Sequence, residues 1–144
     1  MKKVVGILLV LAVVAGFAYY YMAPKPGPVE PPVKPTAGKV AIVTNTVSQN
    51  EEEYRSAQEM VAKYGDRVVH VTWPDNFMAE QEQMVSVVAK LAHDPNVKAV
   101  IINQAVPGTN AAVDKLLETR KDVFIVYCTP QENPPDVAAR AQII

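Results

Sequence analysis

The residues best suited to contact a ligand stand in four short polar segments, each directly after an apolar stretch of the chain. Their hydroxyl, amide and carboxylate groups are the kinds that orient a small molecule by hydrogen bonding, and one indole ring could stack on it. We therefore predict a ligand-binding site made from Thr44, Asn45, Thr46, Ser48, Trp73, Asp75, Asn76, Gln104, Pro107, Gly108, Thr109, Thr129 and Glu132.

Each of these segments also has a structural interpretation that needs no ligand. Residues 44–48 precede a predicted helix, so they can bind a phosphate or carboxylate at its start or simply cap it. Trp73 can stack on a flat ligand or pack beneath a neighbouring helix. Gln104 ends a buried strand and needs a hydrogen-bonding partner. The Pro107-Gly108-Thr109 segment can serve as a tight turn and helix cap.

Residue types give little support to catalysis or metal binding. Cys128 could act as a nucleophile only beside a base. Neither His70 nor His93 is expected within its reach, so we interpret Cys128 as a small buried hydrophobic residue. The two histidines lack companions at metal-ligand spacing, and neither a GxGxxG fingerprint nor a P-loop is present. We expect a non-enzymatic protein without a cofactor or a metal.

Four strand-and-helix units must position the candidate residues. Apolar, β-branched stretches predict buried strands at Lys39–Thr44, Arg67–Trp73, Val97–Ile102 and Val123–Cys128. A helix is predicted after each strand. Ser48, in a capping box with Glu51, should cap the first helix, Asp75 or Asn76 the second, and Thr109 the third.

Alternating strands and helices with right-handed crossovers predict a doubly wound parallel α/β sheet in the order 2-1-3-4. The strand order reverses between strands 1 and 3, so a ligand crevice should open between Thr44–Ser48 and Gln104–Thr109. Residues 141–144 resemble the beginning of an incomplete fifth strand. Since a sheet that stops there leaves an apolar edge uncovered, we expect residues 39–144 to be the amino-terminal lobe of a longer protein.

The amino terminus has the pattern of an export segment. Lys2 and Lys3 precede an uncharged run, residues 4–23, of about the length that spans a bilayer. It can be a cleaved signal peptide or an uncleaved anchor; its full length and Tyr19–Tyr21 favour the anchor. Either way, the remainder should lie outside the cytoplasm. Residues 24–38 are rich in proline and predict a semi-rigid linker.

The charge balance argues against a nucleic-acid surface. The chain has 14 basic and 15 acidic residues and a formal charge of −1. Without Lys2 and Lys3, 12 basic residues remain against 15 acidic ones, whereas nucleic-acid surfaces show clustered lysine and arginine. Cys128 is the single cysteine, so no internal disulfide can form.

Several stretches of residues 39–144 resemble an uncharacterised bacterial family of the type 1 periplasmic-binding-protein kind, similar to the basic-membrane-protein, nucleoside-binding lipoproteins. The resemblance is carried by KVAIVTNTVSQNEEEYRSAQEMVAKYG, HVTWPDNFMAEQEQM and DPNVKAVIINQAVPGTNAAVDKL. It implies a two-lobed clamshell that holds a ligand between its lobes and, in transport relatives, passes it to an ABC permease. The cysteine of a lipid-attachment motif is absent after the apolar run.

These observations lead to one main hypothesis and two alternatives. The main hypothesis is an extracytoplasmic solute-binding lobe, tethered to the membrane by its amino-terminal helix. It would serve ABC-type uptake or ligand sensing, with a permease or a sensor as its membrane partner. One alternative is a flavodoxin-like domain that binds a phosphate cofactor through Thr44–Ser48. The other is a regulatory or sensor module without a role in transport.

Overall fold

Residues 38–144 are the part of the chain that the structure, a computed structural model, describes. The predicted signal peptide or anchor at residues 1–23 and nearly all of the linker at 24–38 lie outside this part. Among residues 38–144, no helix is both long and apolar enough to cross a bilayer.

Four parallel strands form the sheet. They are β1 (Lys39–Thr44), β2 (Val68–Thr72), β3 (Val97–Ile102) and β4 (Phe124–Tyr127). The strand order is β2-β1-β3-β4, and every pairing is parallel. The doubly wound α/β class and the predicted strand order are therefore confirmed, and the sheet is consistent with a lobe of the periplasmic-binding-protein type.

Helices follow the strands in strict alternation. They are α1 (Glu51–Tyr64), α2 (Gln81–Ala89), α3 (Thr109–Leu117) and α4 (Pro134–Ala138), with 3-10 turns at Gly65–Arg67 and Lys90–His93. Each crossover returns the chain to the same end of the sheet. As a result, the loops after all four strands gather at one edge, which we call the carboxyl edge.

One face of the sheet carries the core. Alternate strand residues point to opposite faces. Most of those that face α2 and α3 on β1, β3 and β4 are fully buried, whereas Val69 and Val71 on β2 are half-buried. The core includes Ala41, Val43, Met84, Val88, Val100, Ile102, Val113, Leu116, Ile125 and Tyr127. The intervening residues on β1 and β3, such as Ile42 and Ile101, are only half-buried on the face that α1 covers.

The first helix begins differently from the prediction. Its cap is Asn50, whose side chain accepts a 3.3 Å hydrogen bond from the Glu53 amide. Ser48 does not cap α1, because its hydroxyl donates to the carboxylate of Asp75 in the loop after β2. A contact from a distant part of the chain thus overrides the local capping-box pattern.

The caps of the next two helices were also predicted wrongly. The α2 helix begins at Gln81, beyond Asp75 and Asn76, and the residue in the cap position, Glu80, makes no side-chain capping bond. The cap of α3 is Gly108 in the left-handed conformation, with φ of 101°. Thr109 lies inside the helix, where its buried hydroxyl donates to the carbonyl of Val106 at 2.6 Å.

The strand β4 is less buried than its apolar sequence predicts. Phe124 is 42% exposed, so the strand is not buried on both faces. The predicted fifth strand is present as a single parallel bridge between Val126 and Ile143. Two backbone bonds support that bridge: Tyr127 donates to Ile143 at 3.0 Å, and Gln142 donates to Ile125 at 2.9 Å.

Burial of α2 against the sheet predicts a contrast between two methionines. Met84 is fully buried and Met78 is 65% exposed. Met84→Ala should lower the free energy of unfolding by about 2–5 kcal/mol, since it opens a cavity. Met78→Ala should change it by less than about 0.5 kcal/mol. Urea unfolding followed by the fluorescence of Trp73 measures both, and equal losses would contradict the packing described.

Candidate ligand-binding site at the carboxyl edge

Two amide side chains meet at the centre of the carboxyl edge. The Nδ2 atom of Asn45, after β1, donates to Oε1 of Gln104, after β3, at 2.6 Å. This bond spans the predicted crevice, because β1 and β3 are the strands between which the order reverses. Asn45 is only 4% exposed, and its Oδ1 atom is buried without a hydrogen-bonding partner. The predicted crevice therefore contains a buried acceptor that needs a donor.

A chain of hydrogen bonds holds the backbone beside Asn45. The hydroxyl of Thr44 donates to the Asn45 carbonyl at 2.7 Å and lies 2.8 Å from Nε2 of His70. Because the Thr44 hydroxyl already donates its proton to the Asn45 carbonyl, the Nε2–H group of His70 must donate to the Thr44 oxygen. The Nδ1 atom then accepts from Gln58 at 2.7 Å. Burial lowers the pKa of His70, so the neutral ring that this network requires is favoured.

A carboxylate occupies the β2 side of the crevice. Asp75 accepts hydrogen bonds from the hydroxyls of Thr46 and Ser48, the second at 2.7 Å, and its carbonyl accepts from Gln49 at 2.9 Å. The Thr46 bond is the largest cause that lowers the Asp75 pKa, and the Ser48 bond is the next. Three predicted site residues are thus brought together, and their carboxylate is ionised at neutral pH.

A second carboxylate occupies the β4 side. Glu132 accepts from the backbone N–H groups of Gly108, at 3.2 Å, and Asn110, at 2.7 Å. These are the N–H groups that an anionic ligand would need at the start of α3. The Tyr127 hydroxyl donates to Asn110 Oδ1 at 3.2 Å, and burial raises the pKa of that hydroxyl. The protein's own carboxylate therefore fills this helix terminus.

Two predicted ligand contacts are instead part of the core. Trp73 is 1% exposed, and its indole N–H donates to the Gln104 carbonyl at 3.0 Å. Neither face of the ring is open in this structure, which favours the core interpretation of Trp73 over stacking on a ligand. Thr109 is fully buried and bonded to Val106, so its hydroxyl is likewise not free for a ligand.

The remaining predicted residues lie around the rim. Asn76 is exposed, and its carbonyl accepts from the amides of the turn before α2. The Pro107 carbonyl accepts from Nε2 of Gln81 at 3.2 Å. Thr129 is exposed and has φ of 49°, a left-handed conformation that is uncommon outside glycine. None of the three forms a side-chain hydrogen bond with Asn45 or Gln104.

Glu53 is a residue that the sequence interpretation missed. The Glu51–Glu53 run resembles a solvated helix start, and its first two members are exposed. Glu53 is half-buried, and its Oε2 atom has no partner. It lines a cavity of about 180 Å³ together with Thr44 and Asn103. The sequence did hold a signal for this burial: Glu53 lies four residues before Ala57, the buried residue of α1, and residues four apart are neighbours on one face of a helix.

A larger cavity, of about 430 Å³, lies away from the crevice. It opens beside the outer edge of β2, between α1 and α2, and its lining includes Tyr54, Gln58, His70 and Lys90. Size alone would favour it as the ligand site. However, both ring nitrogens of His70 already have hydrogen-bonding partners within the protein. We therefore assign the candidate site to the crevice, where the buried Oδ1 atom of Asn45 has no hydrogen-bonding partner.

The loops of the carboxyl edge have a one-sided charge. Segments 45–50, 73–80, 103–108 and 128–133 contain three acidic residues and no lysine or arginine. Arg55 is the first basic residue after segment 45–50, and Arg140 is the first after segment 128–133. Arg55 pairs with Glu51 at 2.6 Å, and Arg140 pairs with Asp114 at 2.7 Å. Within residues 38–144, no group of three or more potential metal ligands is present.

Comparison with known proteins identifies the family of the chain. The family described as "Protein of unknown function (DUF3798)" matches residues 39–144. The chain belongs to this family. That match covers the whole α/β domain, so the sheet, the crevice and both carboxylates lie within the family region.

Two similar proteins extend the comparison. An "Uncharacterized protein" of Treponema pallidum (strain Nichols) is 26% identical over 112 residues, and the match covers 73% of this chain and 51% of the relative. A crystal structure from Clostridium difficile 630, called a "Putative transcriptional regulator", matches with a TM-score of 0.67 and 24% identity. That match covers 72% of this chain and 32% of the Clostridium difficile chain. This likeness establishes the fold. The chain spans about half the length of the curated relative.

The hydrogen bonds to Asp75 predict a change in its titration. Thr46→Val removes the hydroxyl and should raise the Asp75 pKa towards its ordinary value of 3.8. Because that pKa is lowered in the folded state, the stabilisation that the carboxylate contributes is present above pH 3.8. It is lost as the pH falls through the lowered pKa. The carboxyl carbon resonance of Asp75, followed against pH, measures the shift.

Thr119→Val is the matched control for that titration. Its hydroxyl lies at the end of α3 and donates to the Leu116 carbonyl, not to Asp75. The control should leave the Asp75 titration unchanged. An unaltered Asp75 pKa in Thr46→Val would show that the hydroxyl bond does not lower it.

Proposed function

We propose that residues 38–144 form one lobe of a non-enzymatic small-molecule binding protein, with its ligand held at the carboxyl edge. The single observation that carries the proposal is the buried, unpartnered Oδ1 of Asn45 beside Gln104. It lies where the strand order reverses, the position at which open α/β sheets bind their ligands.

The energetics of burial support a ligand at Asn45. A buried acceptor without a donor costs about 1–3 kcal/mol, and native structures rarely leave one. Three other polar groups at this edge are satisfied within the protein: the Thr44 hydroxyl, the Trp73 N–H and the Glu132 carboxylate all have partners. An N–H or O–H group of a ligand would supply the donor that Asn45 lacks.

The charge of the edge weakens the flavodoxin-like alternative. A phosphate cofactor needs free N–H groups or basic side chains. The start of α3 is filled by Glu132, and Asn50 caps α1 ahead of three glutamates. A phosphate placed against Thr44–Ser48 would also face the ionised Asp75. We therefore favour an uncharged or cationic ligand over a phosphate cofactor.

Uptake and sensing remain two uses of the same site. In uptake, a second lobe would close on the ligand and the complex would meet a membrane permease. In sensing, a regulatory partner would respond to this closure, a role compatible with the name of the Clostridium difficile neighbour, "Putative transcriptional regulator". In both, we propose that residues 1–23 direct the domain to the outer side of the membrane, and that nucleic acid is not a partner.

Ligand titration of the full chain tests the proposal. The isotope-labelled protein, kept in an uncharged detergent for its apolar amino terminus, is titrated with nucleosides, sugars, amino acids and amines. A single lobe should bind weakly, since about half the contacts are present while the costs of immobilisation remain. We expect millimolar dissociation constants, about −4 kcal/mol. Amide shifts should concentrate at residues 44–48, 103–108 and 128–132.

Two leucine variants sharpen the test. Asn45→Leu removes the unpartnered acceptor with little change in volume and should abolish the shifts. Asn96→Leu makes the same change at an exposed position at the opposite end of the sheet, just before β3, and should leave them intact. The proposal fails if no compound shifts the carboxyl-edge amides, or if Asn45→Leu binds as well as the parent chain.

A further inference from the structure

We infer that the carboxyl edge selects a small organic cation whose ammonium group donates to Oδ1 of Asn45. This inference rests on the proposed function and names the chemical class of its ligand. An ammonium group carries three donors and no acceptor. It therefore matches an edge whose unsatisfied groups are acceptors.

The unpartnered groups at this edge are oxygens. Among residues 38–144, the buried side-chain atoms that lack a hydrogen-bonding partner are Oδ1 of Asn45 and Oε2 of Glu53. Asn45 follows β1 directly, and Glu53 shares its cavity with Thr44 and Asn103, at the ends of β1 and β3. Both atoms call for a donor rather than an acceptor, and one belongs to a carboxylate.

The hydrogen bond of Asn45 to Gln104 places its amide group at the crevice. Its Nδ2 reaches across from β1 to Gln104 at 2.6 Å, so the planar amide group lies between the ends of β1 and β3. Gln104 is half-buried and therefore borders solvent. A ligand that displaces or joins the Gln104 side chain would meet Oδ1 of Asn45.

Two carboxylates flank this acceptor. Asp75 follows the outer strand β2 and bonds to the loop after β1; Glu132 follows the outer strand β4 and bonds to the loop after β3. The edge loops contain no lysine or arginine to offset them. Acidic groups of one sign around a crevice raise the local concentration of cations and repel anions.

The anion-binding features of the edge are already used. Both carboxylate oxygens of Glu132 accept from backbone N–H groups at the start of α3. The hydroxyls of Thr46 and Ser48 donate to Asp75 rather than pointing to an open position. A carboxylate or phosphate ligand would have to displace these acids before it could bind.

A pair of probes with the same carbon skeleton and opposite charge tests the inference. The labelled full chain is titrated separately with butane-1,4-diamine and with succinate, at low ionic strength in uncharged detergent. The diamine should shift the amide and side-chain resonances of Asn45 and Gln104, whereas succinate should not. Raising the salt concentration should weaken the diamine response, because the flanking charges are screened.

Charge-neutralising variants provide the matched control. Asp75→Asn keeps acceptors for Thr46 and Ser48 but removes the charge, and it should weaken diamine binding by about two- to fivefold. Asp66→Asn makes the same change at an exposed site between α1 and β2, at the opposite edge of the sheet. It should leave the affinity unchanged.

The possible outcomes separate this inference from the proposed function. Shifts with succinate or an uncharged compound, but not with the diamine, would overturn the cation assignment and retain the binding site. Equal diamine affinity in Asp75→Asn and the parent chain would overturn the role of the charge. An absence of shifts with every compound would overturn the binding site itself.

Discussion

The parallel pairing of β1 with β3 is the constraint on which the rest of the structure depends. These strands are separated in sequence by α1, β2 and α2, yet they are neighbours in the sheet. Their pairing sends β2 to one side and β4 to the other, so the crossovers cover different faces. It also brings Asn45 and Gln104 to the same gap. The core and the candidate site therefore have a common origin in one pairing.

Polar groups at the ends of buried strands must find partners, and this requirement organises the carboxyl edge. The indole N–H of Trp73 is satisfied by the Gln104 carbonyl, which ties the loop after β2 to the loop after β3. Glu132 likewise ties the loop after β4 to the start of α3. These bonds fix the walls of the crevice within the protein itself. Asn45 is held between those walls with one of its two polar atoms satisfied.

The strand order could be predicted from the sequence because it depends on features that are themselves local. Apolar runs of four to six residues, separated by helical patterns, leave few ways to build a parallel sheet with right-handed crossovers. Asn45 and Gln104 could be placed in the same crevice by this reasoning alone. Their direct hydrogen bond is a detail of side-chain geometry that no periodicity encodes.

Helix caps and buried side chains were harder to predict, because distant contacts decide them. Ser48 and Asn50 each stand three residues before a glutamate, so both fit the pattern of a helix start. Asp75, from another loop, draws Ser48 away and leaves Asn50 as the cap. Trp73 was equally ambiguous, since both a ligand platform and a core residue suit an indole at a strand end.

Stability and binding make opposite demands on Asn45. An apolar side chain of similar volume would remove the cost of an unpartnered buried oxygen, about 1–3 kcal/mol. Native proteins retain such groups mainly where a local loss of stability serves a function. At this position a ligand donor would recover the lost hydrogen bond in a site of low dielectric, where it is strengthened by the field of nearby carboxylates. Under the proposed function, the unsatisfied oxygen would turn a local defect of the free protein into selectivity for ligands that donate a hydrogen bond.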